Sequence, residues 1–188
     1  ILKISKKDIN NKYYIYGGTA TDIKTLKRNK SYKNIYFKEY IPFSKIPIEL
    51  KKIDVCLLPY KSKVTVAGNV SNISKYTSPL KIFDYMITGK LIVCSNLKVI
   101  REVLINKKNS ILVSNFKNEK VWISKIKDVN KNFLKYKNIR MQAYIYAKIH
   151  NIDWRVEKIL DLIKNHEKIF WNFILLYLFL NIDKSLLL

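Results

Sequence analysis

The sequence predicts an α/β protein built on a doubly wound parallel sheet. Short apolar runs alternate with segments of helical pattern over the first two thirds of the chain, which is the order of βαβ units. Three of the runs, at 14–16, 56–58 and 91–94, are continuous rather than alternating, as expected for strands that helices cover on both faces. With 188 residues, of which 48% are hydrophobic, the chain is long enough to bury a sizeable core.

Five strands are predicted, and each is an apolar or aromatic run between turn-forming residues. In order they are Tyr13–Tyr16, Asn34–Phe37, Asp54–Leu58, Leu91–Cys94 and Ile111–Val113. Gly17-Gly18 ends the first run, and Pro59 closes the third. Right-handed connections between parallel strands then place helices on both sides of the sheet.

Helices are predicted between these strands and after the last of them. The short helical segments are 22–28, 45–51, 79–88 and 98–105. Pro79 suits the first turn of the third segment, and Gly89 ends it. From Glu119 the pattern is helical to about His166, with breaks near 130–132 and 151.

The chain is expected to contain one domain and two C-terminal segments. We predict a Rossmann-like domain at 1–150, a terminal helix at 151–168 and a hydrophobic tail at 169–188. Residues 1–12 show no secretory signal. The tail's apolar run at 169–180 would form a helix of about 18 Å, short of the roughly 30 Å hydrocarbon core. The tail is interpreted either as a membrane-dipping segment or as a segment that packs on another domain or is poorly ordered.

The charge balance is extreme and has two interpretations. Lys and Arg number 36 against 14 Asp and Glu, which gives a net charge of +22. Such a field attracts nucleic acid, anionic lipid headgroups or phosphorylated substrates. Lysine, isoleucine, asparagine and tyrosine also share AT-rich codons, so genome composition alone produces this pattern. Only four of the cations are arginines, the residue that nucleic-acid readers favour, and nucleic acid is therefore the weaker partner.

The cysteines and histidines predict neither a metal site nor a cofactor. Cys56 and Cys94 lie in predicted strands and are expected to be buried thiols in a reducing compartment. His150 and His166 have no cysteine or carboxylate at metal-ligand spacing. No motif for nucleophilic catalysis is present, and the catalytic residue stays unassigned.

Ligands of open parallel sheets bind beyond the carboxyl ends of the strands. That edge is predicted to carry Gly17-Gly18, Tyr40-Ile41, Pro59-Tyr60 and the residues after Ser95. These residues are therefore the first candidates for a binding site.

The segment from Ser78 to Asp84 has the pattern of a helix start that binds an anion. A polar loop enters a helix at Pro79, where free N–H groups and a partial positive charge suit a phosphate. Lys81 adds a positive charge, and the Asp84 carboxylate can accept hydrogen bonds from a ribose diol. An N-cap, a solvated lysine and a first-turn acid explain the same residues, so spacing leaves both interpretations open.

A series of segments resembles the donor-binding half of family 4 glycosyltransferases. The segment SPLKIFDYMITGKLIVC is similar to the family's S-P-L-K-x-F-E-Y-M-x-x-G-K-P-I-V motif. YYIYGG, NIYF and DVCLLPY resemble the family's G-G, N-V-x-F and A-D-V-x-L-L-P-Y strands. NSILV with Trp122, and DWRVEKIL, resemble its last strand and its terminal helix. The resemblance covers about residues 10–168 and implies the C-terminal half of a GT-B transferase.

The resemblance implies roles for several residues. Asp84 stands where the family has the Glu that binds the donor ribose, and Tyr76 stands where many members have a sugar-facing Glu. Because Pro79 has no N–H, Leu80 and Lys81 are the expected diphosphate contacts. The implied donor-binding set is Gly17, Gly18, Tyr40, Ile41, Ser78, Leu80, Lys81 and Asp84.

The resemblance also implies an activity: transfer of a hexose-type sugar from a nucleotide-sugar to a glycan or lipid-linked acceptor, with retention. We expect a cytoplasmic protein at a membrane surface. The family's acceptor domain and its Arg-Lys loop are expected to lie outside this chain, so transfer by the chain alone should be negligible. Two alternatives remain: a non-catalytic basic module that binds nucleic acid or anionic surfaces, and a degenerate transferase kept as a partner subunit.

Overall fold

The computed structural model describes residues 1–28, 32–61 and 81–150, together with 157, 160–165 and 168. The chain divides into two compact units, Ile1–Ala147 and Lys148–Leu188. In the second unit, residues 160–165 are helical. The predicted boundaries at 150 and 168 stay a prediction, and the tail at 169–188 lies outside the described residues.

Five parallel strands form the centre of the first unit. They are β1 (Tyr13–Tyr16), β2 (Ile35–Lys38), β3 (Val55–Leu58), β4 (Leu91–Ser95) and β5 (Ile111–Val113). Within the described residues the hydrogen-bonded ladders form two sheets, one of β1 and β2 and one in the order β3-β4-β5. All three strand pairs are parallel, which confirms the predicted fold class.

Six α-helices and three 3-10 helices are described. The α-helices are α1 (Leu2–Lys7), α2 (Ala20–Lys27), α3 (Ile46–Lys51), α4 (Lys81–Ile87), α5 (Glu119–Lys131) and α6 (Lys137–Ile149). The 3-10 helices are Phe43–Lys45, Val99–Glu102 and Phe133–Tyr136. The sequence did not predict α1, and the helix expected at 98–105 is a 3-10 helix of four residues.

Two hydrophobic clusters lie on opposite faces of β4. Leu91 and Val93 belong to a cluster with α1 and α5, whereas Ile92 and Cys94 belong to a cluster with α4 and α6. Because successive side chains of a strand point to opposite faces, β4 contributes alternately to both clusters. Helices therefore cover this strand on both sides, as the continuous run at 91–94 predicts.

The expectation that β1 and β3 are equally well covered is wrong in part. Tyr14, Ile15 and Tyr16 of β1 are only half-buried, and so is Leu57 of β3. Each of these strands pairs on one edge only within the described residues, whereas β4 pairs on both. β1 and β3 are therefore less completely buried by the described residues than their apolar sequences predict.

A half-buried amide joins α1 and the turn after it to β2. The Asn34 side chain, directly before β2, donates to the carbonyl oxygens of Ser5, Asp8 and Asn11 at 3.2, 2.8 and 2.9 Å. These three carbonyls lie at the end of α1 and in the turn that follows it, where helical partners run out. The asparagine that opens the NIYF segment therefore has a structural role.

We expect Asn34→Ala to lower the free energy of unfolding by about 2–4 kcal/mol, because it leaves several carbonyl groups without a partner. Urea denaturation measures the change. The matched control is Asn130→Ala, which removes one exposed hydrogen bond to Asn11 and should cost less than about 1 kcal/mol. Equal losses in the two variants would contradict the role of Asn34.

Candidate functional site

The carboxyl ends of β1 and β2 form the first part of the site. Gly17 and Gly18 have φ angles of 116° and 84°, which side-chain-bearing residues rarely adopt. The Gly17 N–H donates to the Lys38 carbonyl at 3.1 Å, and the Tyr40 N–H donates to the Gly18 carbonyl at 3.3 Å. The structure therefore brings together the glycines and Tyr40, which the sequence placed at one edge. An added Cβ at Gly17 would meet no atom within 4 Å, so a ligand has room to approach this backbone.

The helix that follows the glycine turn carries a capping box that the sequence reasoning missed. The Asp22 N–H donates to the Thr19 hydroxyl at 3.2 Å, and the Thr19 N–H donates to the Asp22 carboxylate at 2.8 Å. The Thr19 N–H and the Thr19 hydroxyl, which also donates to the carboxylate at 2.8 Å, lower the pKa of Asp22, and the backbone bond is the larger cause. The T-x-x-D spacing before α2 was the available signal. A Cβ added at Gly18 would lie 3.3 Å from the Asp22 Cβ, so the cap also restricts this position to glycine.

The segment after β2 presents aromatic and apolar side chains to solvent. The Tyr40 side chain is 85% exposed and Phe43 is 76% exposed, whereas Ile41 is half-buried. Tyr16, the last residue of β1, donates its hydroxyl to the Glu49 carboxylate of α3 at 2.6 Å. This bond joins α3, the helix that follows the segment, to the end of β1, beside the glycine turn.

The carboxyl ends of β3, β4 and β5 form the second part of the site. The Ser95 hydroxyl donates to the Tyr60 carbonyl at 2.8 Å, and the Asn96 N–H donates to the Val113 carbonyl at 3.0 Å. The Asn96 side-chain N–H donates to the Ser114 hydroxyl at 3.1 Å. Its Oδ1 atom is buried and has no hydrogen-bond partner within the described residues. Asn96, which directly follows Ser95 at the edge that the sequence predicts, is thus a buried acceptor.

Asp84 lies in α4 with its carboxyl group half-buried. The backbone carbonyl of Asp84 accepts from the Thr88 hydroxyl at 2.8 Å, but no described residue donates to the carboxylate. Burial raises the pKa of the Asp84 carboxyl group above its usual value. A carboxylate that is partly desolvated and has no donor among the described residues is a candidate for binding a ligand.

The remaining predicted site residues divide into two groups. Lys81 is exposed and is the first described residue of α4. Ser78 and Leu80 lie outside the described residues, and so does Tyr76. Within the described part of the chain, no hydrogen bond joins Lys81 or Asp84 to the glycine turn. The structure therefore brings Gly17, Gly18 and Tyr40 together, and places Lys81 and Asp84 on a separate element.

The other titratable groups have the features of structural residues. Burial raises the pKa of Cys56 and of Cys94 to about 12, so both thiols stay protonated and are poor nucleophiles. In the part of the chain that the structure describes, no three His, Cys, Asp or Glu residues come together as metal ligands. No helix there is long and apolar enough to cross a bilayer.

Comparison with known proteins gives a family. The family model described as "Glycosyl transferases group 1" matches residues 1–132 of the chain. The chain belongs to the group 1 glycosyltransferases. Among curated proteins, none is significantly similar to the chain in sequence.

Several solved structures share the fold of this chain. The sucrose-phosphate synthase of Thermosynechococcus elongatus matches with a TM-score of 0.68 and 11% identity, over 89% of this chain and 41% of that one. Anabaena HepE in complex with UDP-glucose matches with a TM-score of 0.61 and 14% identity, over 82% and 41%. The pneumococcal O-GlcNAc transferase GtfA in complex with UDP and GlcNAc matches with a TM-score of 0.58 and 15% identity, over 88% and 31%. This chain therefore spans less than half the length of each of these three structures.

The stability of the chain should depend on Asp84 in a pH-dependent way. Because the pKa of the folded Asp84 is raised, its stability contribution is fully present below the unfolded pKa of about 3.9 and is lost as pH rises through the folded pKa. We therefore expect Asp84→Asn to be more stable than the parent chain at pH 7, and equally stable near pH 3. Thermal unfolding at the two pH values measures the difference.

The control for that measurement is Asp54→Asn, which removes the same charge at an exposed position. If Asp54→Asn gains as much stability at pH 7 as Asp84→Asn does, the gain comes from the change in net charge and not from the burial of Asp84. A loss of stability in Asp84→Asn at pH 7 would show that the carboxylate has a structural partner.

Proposed function

We propose that the chain is the donor-binding part of a nucleotide-sugar-dependent glycosyltransferase. The observation that carries this proposal is the half-buried Asp84 carboxylate without a described partner, on a helix in the segment that resembles the family's donor motif. Structures with the same fold were determined with UDP-glucose or UDP bound, which supports a donor that contains a uridine nucleotide.

Each group of site residues has a role in binding the donor. The Asp84 carboxylate accepts hydrogen bonds from the ribose hydroxyls, which satisfies the unpaired acceptor. Lys81 binds the diphosphate through its positive charge, and Leu80 is the second proposed diphosphate contact. Gly17 and Gly18 leave space for the donor, and the main chain of Tyr40 and Ile41 contacts the base. Ser78 completes the proposed donor-binding set.

The proposed reaction transfers a hexose-type sugar to a glycan or lipid-linked acceptor with retention, as in family 4. The departing diphosphate needs preorganised positive charge, which Lys81 supplies only in part. The scheme uses no cofactor and no metal to bind the donor: Lys81 supplies positive charge, and backbone N–H groups donate hydrogen bonds to the phosphates. We place the reaction at the cytoplasmic side of a membrane, in the synthesis of an envelope or exported glycan.

Calorimetric titration with UDP tests the donor site. We expect UDP to bind, and Asp84→Asn to weaken binding by about 10- to 100-fold, because hydrogen bonds to a charged acceptor are lost. Asp54→Asn should bind UDP as the parent chain does. The Asp84→Asn chain should at the same time be no less stable than the parent at pH 7, which separates a binding role from a folding defect.

GDP and ADP serve as competitors at moderate salt. Weaker binding of both would support a uridine donor. Equal binding of all three nucleotides, steeply reduced by salt and unchanged in Asp84→Asn, would show that the +22 charge binds phosphate without a donor site.

A further inference from the structure

The two helices on one side of the first unit carry a dense set of lysines. We define the lysine face as Lys3, Lys6 and Lys7 of α1 with Lys120, Lys127 and Lys131 of α5. All six side chains are exposed. The spacing of Lys120, Lys127 and Lys131 places them on one side of α5, because residues seven and eleven apart lie nearly above one another in a helix.

Direct contacts show that the two helices lie side by side. The Lys7 ammonium is 2.9 Å from the Glu119 carboxylate, and the Asn130 side-chain N–H donates to the Asn11 side-chain oxygen at 2.7 Å. The first contact joins the end of α1 to the start of α5, and the second joins Asn11, four residues after α1, to α5 near its end. The lysine face therefore begins at α1, beside the start of α5, and continues along α5.

The positive charge of this surface is largely uncompensated. Of the six lysines, only Lys7 forms an ion pair with a described residue. Of the two acids of α5, Glu119 is paired with Lys7, whereas Asp128 accepts from the Tyr136 hydroxyl and the Asn132 amide and keeps its charge. Asp8, directly after α1, is buried and accepts from the Tyr13 hydroxyl. The six lysines therefore outnumber the acids beside them.

The chemistry beside the lysines favours a bilayer over nucleic acid. Neither helix contains an arginine, and the one aromatic residue on them, Trp122, is 2% exposed. The face thus offers neither the forked cations nor the stacking rings with which proteins bind nucleic acid. Ile9, the second residue after α1, is 77% exposed. A groove of about 680 Å³ opens at the start of both helices and is lined in part by Ile1, Leu2 and Phe116. Lysines around exposed apolar groups match the interface of an anionic membrane.

We propose that the lysine face docks on a lipid bilayer that carries anionic headgroups. Lysines are attracted to the negative surface potential, and their long stems let Ile9 approach the headgroup region. The inference goes beyond donor binding, since none of the six lysines belongs to the proposed donor site. In this proposal the lysine face, and not the net charge of the whole chain, binds the membrane.

Vesicle flotation with a charge-matched control tests this surface. The chain is mixed with vesicles of phosphatidylcholine containing 30% phosphatidylglycerol, or of phosphatidylcholine alone, at about 0.1 M salt, where the Debye length is about 10 Å. The test variant is Lys3→Gln/Lys120→Gln/Lys127→Gln/Lys131→Gln, which leaves the Lys7–Glu119 pair intact. The control is Lys24→Gln/Lys33→Gln/Lys51→Gln/Lys108→Gln, which removes the same charge from exposed positions outside the face.

We expect the parent and the control to bind anionic vesicles with affinities within about threefold of each other, and the test variant to bind at least about 30-fold more weakly. Binding to neutral vesicles should be weaker by at least tenfold. UDP titration of the test variant should match the parent, so failure of the lysine face is distinguishable from failure of the donor site.

Three results would overturn the proposal. Equal losses in the two quadruple variants would show that net charge alone drives binding. Unchanged binding in the test variant would place the contact elsewhere on the chain. Duplex DNA that binds more tightly than the anionic vesicles at the same salt, with the same loss in the test variant, would assign the face to nucleic acid.

Discussion

The burial of one strand determines most of this structure. Leu91, Ile92, Val93, Cys94 and Ser95 of β4 are all fully buried, and four of them divide alternately between the two hydrophobic clusters. The helices on both faces depend on this strand for their packing partners. Because β3 and β5 pair with β4 in parallel, β4 also aligns the carboxyl ends of the three strands, after which Tyr60, Asn96 and Ser114 lie. The second part of the candidate site is thus a consequence of where β4 ends.

The sequence predicted the elements whose signal is local. The continuous run at 91–94 and the glycines after Tyr16 identify buried strand and turn without knowledge of the rest of the chain. It did not predict α1, because half of residues 2–7 are lysines, and the segment becomes helical by packing Ile4 into the core and by contact with α5. The role of Asn34 was equally hidden, since its three acceptors lie 23 to 29 residues earlier.

The candidate site shows the same division. Parallel pairing of β1 and β2 was enough to predict that Gly17-Gly18 and Tyr40 would meet, and the hydrogen bond from Tyr40 to Gly18 confirms it. Burial and pairing of a side chain depend on the tertiary structure, so no pattern could show that the Asp84 carboxylate lacks a described partner or that the Asn96 Oδ1 atom is buried. Asp84 is the clearer case. Burial raises the pKa of its carboxyl group, so its charged form is less favourable in the folded chain than in the unfolded chain. A group that costs stability and faces no described donor is best explained by a ligand.

The central claim is that the glycine turn and Asp84 bind the same nucleotide. Titration of the isotope-labelled chain with UDP, followed by amide chemical shifts in NMR spectra, tests it most directly. The account predicts saturable shifts at Gly17, Gly18, Tyr40 and Asp84, with little change at the lysines of α1 and α5. Shifts confined to exposed lysines over the whole surface, with the glycine turn and Asp84 unchanged, would contradict it.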